Sequence, residues 1–381
     1  MIALINAMIY TMAGTIYEKG TVLVDDHGKI AAVEQSVEIP STAHVVDCGG
    51  KVITPGLIDA HTHLGVYEEG IAWAGEDVNE KSDPVTPALH TLDAIHPGDI
   101  GLKEAYQNGV TTVMIAPGSA NAIGGQCVIA KTKPRATVEE MIIREKAGLK
   151  IAFGENPKRC YGAQQNKKPL TRMATACLIR ETFMKGLQYI KDRESGKVSP
   201  DLALEAIARV LRREMPVRAH AHRSDDIVTA VRIAKEFSID LIIEHGTESY
   251  MVADLLQRNQ IPVIVGPTLT TRSKLELKDK NMATPAELKK AGVLFAMMSD
   301  HPVIPSCFLS IYAGLATRFG LANDEALAMI TSNAAKILQL SDRVGTLAPG
   351  MDADLVVWSG HPFQLSSKVE FVMVDGVLEK I

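Results

Sequence analysis

Between Leu57 and Met298 the chain alternates short apolar runs with segments of helical period, and this rhythm constrains the fold more than any other feature. The runs are Leu57–Ala60, Thr111–Ile115, Cys127–Ala130, Lys150–Phe153, Val217–His220, Leu241–Glu244, Ile261–Val265 and Leu294–Met298. Each has the length of a strand and is too short for a helix. Between them lie helical stretches with polar openings. Ser199-Pro200-Asp201 precedes Leu202 to Arg213, and Ser224-Asp225-Asp226 precedes Ile227 to Phe237. In both, residues able to cap a helix stand before an apolar stripe at helical spacing. Strands separated by crossover helices lie parallel, and about eight such units predict a closed (β/α)8 barrel of the TIM type.

The two ends of the chain follow another rhythm. Thr21–Val24 and Ile30–Val33 flank the turn sequence Asp25-Asp26-His27-Gly28-Lys29. After a helical stretch from Asp324 to Leu338, the strands Asp354–Trp358 and Phe371–Val374 lead into an Asp375-Gly376 hairpin turn. The expected organisation is a barrel over residues 53–342 and a small β-sandwich built from residues 1–52 and 343–381.

Composition narrows the functional class. Hydrophobic residues make up 46% and charged residues 22%, with a net charge of −5 spread over interspersed signs. No dense basic run is present, so neither nucleic acid nor an anionic membrane is an expected partner. Cys48, Cys127, Cys160, Cys177 and Cys307 are odd in number and scattered, which argues against a disulfide framework and for a reducing cytoplasm. The apolar start lacks a basic residue before Lys19 and reads as two strands around a turn instead of a signal peptide. No apolar run is long enough to span a membrane.

Chemistry concentrates at strand ends. His61-Thr62-His63 follows the run Leu57–Ala60, and residues two apart on an extended chain share a face, so both imidazoles can reach one metal ion. The full run is Thr54-Pro55-Gly56-Leu57-Ile58-Asp59-Ala60-His61-Thr62-His63. A PGLIDxHxH run of this kind resembles the signature of the amidohydrolase superfamily. Near the other end, Asn333-Ala334-Ala335 and Gly345-Thr346-Leu347-Ala348-Pro349-Gly350-Met351-Asp352-Ala353-Asp354-Leu355-Val356-Val357 resemble that family's closing segment. The similarity covers nearly the whole chain and lies nearest the imidazolonepropionase-like branch.

That resemblance implies a metal-dependent hydrolase with further ligands at the carboxyl ends of barrel strands, where active sites of such barrels lie. His61 and His63 are joined by four implied positions. Glu155 stands where many relatives carry a carboxylated lysine, and a carboxylate can bridge cations unmodified. His220 is the implied ligand of Ala219-His220-Ala221-His222, with His222 as a substrate contact; the reverse assignment stays open. His245, in Glu244-His245-Gly246, is implied as ligand and catalytic group. Asp300, in Ser299-Asp300-His301-Pro302, is implied as ligand and as the general base and acid. Lys158 and Arg159 are candidates for binding an anionic substrate group.

The implied cofactor is one or two divalent ions: zinc suits the nitrogen and oxygen donors, and iron or manganese are alternatives. The leading expectation is hydrolysis of a non-peptide C–N bond in a cyclic amide, an aminated ring or an N-acyl compound. A prolidase-like dipeptidase is the alternative, and a non-catalytic binding or scaffold relative is the reading from another class. A small-molecule substrate and a homo-oligomeric state complete the expected partners. Two loops complete the picture. The long segment from Leu64 to Pro97 reads as a cover over the barrel mouth. The Gly-rich stretch Pro117–Gln126 lacks the Lys-Ser/Thr ending of a P-loop and reads as a substrate-pocket loop.

Overall fold

The computed structural model describes residues 1–381. The N-terminal strands are β1 (Ile2–Tyr10), β2 (Ile16–Val24), β3 (Ile30–Glu34), β4 (His44–Asp47) and β5 (Val52–Pro55). The β2–β3 turn forms because Asp25 accepts the backbone N–H groups of His27 and Lys29, at 2.8 and 2.9 Å, while Gly28 takes φ +72°. A short acceptor and a residue tolerant of positive φ are what such a turn requires.

Eight strands then form the barrel-like sheet: β6 (Leu57–Thr62), β7 (Val110–Ile115), β8 (Ile123–Lys131), β9 (Ile142–Ala152), β10 (Val217–Ala221), β11 (Leu241–His245), β12 (Val263–Val265) and β13 (Phe295–Met297). The ends β6 and β13 meet through backbone hydrogen bonds from Asp300 N to His61 O (3.2 Å) and His63 N to His301 O (3.1 Å). The strands are buried on both faces, as expected when helices cover the outside. One strand departs from the sequence expectation: β8 runs antiparallel to both β7 and β9. Its flanking connections, 116–122 and 132–141, are shorter than the dozen or more residues a parallel crossover needs, so the chain can only turn back.

The chain closes with β14 (Leu355–Trp358), β15 (Val369–Val374) and β16 (Val377–Lys380). β14 pairs with β5, which joins the two termini in one sheet of order β16-β15-β14-β5-β1-β2-β3, with β4 branching from β1. This sheet reaches Pro55, past the expected boundary at residue 52, because β5 finds its partners in β1 and β14. Leu4, Ile9, Val22, Ile53, Leu355 and Met373 form its own apolar core. Lys131 of β8 lies 3.2 Å from Asp352, 2.5 Å from Asp354 and 3.2 Å from Asp375, an ionic knot, buried except at Asp375, that ties the barrel to the terminal sheet. No helix of the protein is long and apolar enough to cross a membrane.

The expected helix from Leu202 spans Leu202–Leu211 and is capped by Asp201, whose side chain accepts Leu204 N–H at 2.8 Å. The helix Ser224–Phe237 has no cap from its own preceding side chain. Glu248, from the β11 side, accepts both the N–H and the hydroxyl of Ser224, at 2.8 and 3.0 Å.

Candidate metal centre

His61 and His63 leave β6 toward the barrel mouth, their ring centroids 5.1 Å apart. His63 Nδ1 lies 2.8 Å from the Ala116 carbonyl, which turns Nε2 toward Asp300 Oδ1 at 3.3 Å. His61 Nε2 lies 3.4 Å from the same oxygen. His220 on β10 and His222 just past its end have ring centroids 4.7 Å apart; His222 Nδ1 is held by Thr247 Oγ1 at 2.8 Å. His245 Nδ1 faces the Gly266 carbonyl at 2.9 Å. Carbonyl acceptors of this kind place the proton on Nδ1 and free Nε2 as a donor to a metal.

His245 shows why tertiary position matters. Its neighbour Glu244 is opposite His220 in the β10–β11 register and shares its face. Consecutive residues of a regular strand point to opposite faces. His245 escapes that rule by adopting φ +69°, and Asp300 does likewise at φ +55°. Such backbone costs a residue with a Cβ on the order of 1 kcal/mol or more, and it persists where surrounding structure enforces it. For Asp300 the enforcement is visible: Asp59 on β6 accepts Ser299 N–H at 3.0 Å and the Ser306 hydroxyl at 2.9 Å.

Two triplets of side chains bring their ligand atoms within 4.8 Å of one another: His220 with His222 and His245, and His61 with His245 and Asp300. Burial pushes the imidazoles of His63, His220 and His222 down, and that of His245 down to about 3. Burial works against ionisation of Asp300 too, yet His245, His61 and His63 beside it outweigh burial and hold the carboxyl well below its ordinary range. Buried atoms His220 Nδ1 and His222 Nε2 have no hydrogen-bond partner. Imidazoles whose charging burial disfavours, a carboxylate and orphaned buried nitrogens form a donor set that fits a divalent cation.

Beneath the rings lies a buried charge network that the sequence reading did not include. Glu244 receives Arg218 Nε at 2.7 Å and Lys150 Nζ at 2.5 Å, and its Oε1 stands 3.0 Å from His61 Nδ1. That last contact lies off the ring N–H direction, so His61 Nδ1 has no in-line hydrogen bond. Burial disfavours the Glu244 charge, but His61, Lys150 and Arg218 hold the group well below the usual carboxylate range. Lys150 Nζ also lies 3.4 Å from His61 Nε2. A signal was available: Lys150, Arg218 and Glu244 are charged residues inside otherwise apolar runs, where charge is seldom buried unpaired.

The structure does not bring every expected residue to the centre. Glu155 opens a short helix, its N–H donated to Glu276, and belongs to neither triplet. The side chain that β9 sends into the site is Lys150, which shares the inward face of that strand with Ala152, stands in register with Arg218, and alone of the two is long enough to reach the cleft. Arg159 lines the cleft above the triplets, whereas Lys158 does not. The cleft has a volume of about 540 Å³, and only four of its twenty lining residues are hydrophobic, so it suits a polar ligand. Tyr67 and Asn79, from the long loop, and Ser119, from the Gly-rich loop, line it as well. The two loops are sewn together: Asn79 accepts Ala120 N–H, and Asn121 donates to the Glu80 and Asp83 carbonyls.

The sequence profile of the Amidohydrolase family matches residues 52–379. The chain is similar to a solved amidohydrolase from Thermotoga maritima MSB8, with 49% identity, a TM-score of 0.96 and 99% of each chain covered. It is 28% identical to an imidazolonepropionase from Mesorhizobium japonicum, over 96% of this chain and 94% of that protein. It is also 28% identical to amidohydrolase tasK from Hapsidospora irregularis, over 94% of this chain, and there it spans 40% of the relative's length.

Proposed function

Because this chain belongs to the amidohydrolase family, we propose that it is a metal-dependent hydrolase of non-peptide C–N bonds, acting at the His61–His63–His220–His245–Asp300 cluster. The observation that carries this reading is the pair of triplets sharing His245, set in a polar cleft of about 540 Å³. The relatives named amidohydrolase and imidazolonepropionase support the same bond class.

His61, His63, His245 and Asp300 are the proposed holders of one divalent ion, zinc by the character of its donors, and His220 with His222 would serve a second. A bound divalent ion supplies Lewis acidity, polarising a substrate carbonyl and lowering the pKa of water to about 7. Asp300, ionised at neutral pH, takes the proton from the attacking water and passes it to the leaving nitrogen. The Asp59 contacts to Ser299 and Ser306 hold that carboxylate in place for the transfer. His222, beyond any ligand role, opens onto the cleft and is available to substrate, as is Arg159. Glu155 and Lys158 take no part in this reading. Five free cysteines suit a reducing cytoplasm.

The test is elemental analysis of the purified chain and its His61→Ala variant, followed by hydrolysis assays on cyclic amides, N-acyl compounds and aminated rings. Metal near one or two ions per chain, reduced in the variant, together with turnover in that panel supports the reading. A chain that takes up no divalent metal after reconstitution refutes it.

A further inference from the structure

The helices Arg172–Glu194 and Ser224–Phe237 flank a cavity of about 360 Å³ that Phe153 and Gly154, just past β9, also line. None of its residues lines the catalytic cleft. Three of its side chains are guanidiniums: Arg172, Arg180 and Arg232. Arg172 donates Nε to both oxygens of Asp226, at 2.9 and 3.1 Å, and Arg180 donates Nε to Glu236 at 2.7 Å. Each of these pairs ties one helix to the other. Arg232 has no carboxylate partner and donates only Nη2, to Thr229 at 3.0 Å. The terminal nitrogens of Arg172 and Arg180, and Nη1 of Arg232, make no hydrogen bond within the chain. In an arginine, that terminal pair is an edge able to grip an oxyanion with two parallel bonds.

We propose that this cavity binds a small phosphate monoester, its phosphate group held by Arg172, Arg180 and Arg232. Charge balance favours an anion. Against the three guanidiniums stand Asp226 and Glu236, while Glu276, 3.9 Å from Arg172, is offset by Lys274 at 3.4 Å. Arg172 and Arg180 are 35% and 31% exposed, so water and salt screen them less than open-surface charges. Arg172, Met173 and Thr175 come from the first turn of a 23-residue helix, whose dipole adds positive potential there. Number of acceptors selects phosphate. A carboxylate offers two oxygens and one charge, whereas a phosphate monoester brings three terminal oxygens and nearly two charges to three donors. The volume falls within the range of small-molecule pockets, about 300–1,000 Å³, and leaves room for the organic part of the ester. The site shares no residue with the cleft, so it stands independently of the hydrolase reading.

Equilibrium dialysis of the full-length chain against glycerol 3-phosphate, and separately against inorganic phosphate, tests this. The parent protein is expected to bind the ester, with affinity that falls as salt is raised. Arg232→Gln removes a guanidinium that holds no carboxylate, so its melting temperature should match the parent's. Its affinity for the ester should fall at least about tenfold, the loss of one charge-assisted hydrogen bond. Arg180→Gln should weaken binding to a similar degree. Arg159→Gln, which alters the catalytic cleft, should leave binding of the ester unchanged. No binding of the ester, an affinity unmoved by Arg232→Gln, or loss of binding in Arg159→Gln would each overturn the proposal. So would tighter binding of inorganic phosphate than of the ester, which would identify the free ion as the ligand.

Discussion

Glu244 Oε1 stands 3.0 Å from His61 Nδ1 while the same carboxylate takes Arg218 and Lys150 on its remaining edges. Although off the ring N–H line, a negative charge at that distance favours the proton on Nδ1, which leaves Nε2 free toward the candidate metal centre. The carboxylate is also the only counter-charge for two buried cations.

Replacing Glu244 with Gln therefore has two expected effects. Metal affinity, measured by competition with a chelator, should fall by about 10- to 100-fold. Stability should fall by about 3–5 kcal/mol, since Arg218 and Lys150 would remain buried without a compensating charge. A variant with parental metal affinity would show that His61 needs no such support.

Asp300→Asn separates proton transfer from metal holding. Much of the metal should remain on the histidines, while turnover should drop by about 10²- to 10⁴-fold, because an amide cannot shuttle the proton. Turnover of parental size in this variant would remove Asp300 from the reaction.

Glu155→Ala should leave the metal content per chain unchanged, since Glu155 belongs to neither triplet. Elemental analysis decides the point. Loss of an ion would return Glu155 to the ligand set, which then has to form by movement of its loop.

The pH dependence of the metal-free protein should carry the mark of His301. Its ring is fully enclosed, accepts Ser306 N–H at 3.4 Å, and is pushed down by burial to about 4. The unfolded chain protonates this group near pH 6.5 and the folded chain only near 4, so unfolding takes up a proton between those values. The contribution, on the order of 3 kcal/mol, is complete above about pH 6.5 and is lost as pH falls toward 4. His301→Gln should flatten the slope of urea-measured stability against pH in that window by up to about one proton. An unchanged slope would mean that the ring is protonated in the folded state.

What could be read in the chain alone is local in origin. Alternating apolar runs and helical stretches follow from the periods of strand and helix, and they announced the barrel and the β-rich ends. The two His-x-His pairs were legible because residues two apart on a strand share a face, whatever surrounds them. Other features depend on what lies next to what. The reversed direction of β8 comes from short connections that only pairing with β7 and β9 turns into an antiparallel strand. Lys150, Arg218 and Glu244 sit on three separate strands, and only the barrel's register makes them one charge network. Position after a strand points to Glu155, whereas the β9 side chain that reaches the cleft is Lys150. His245 and Asp300 enter the centre through left-handed backbone that no periodicity announces, because the contacts enforcing it come from other strands. Sequence carries the repeat of each element; the sharing of charge, direction and strain between elements exists only once they are packed together.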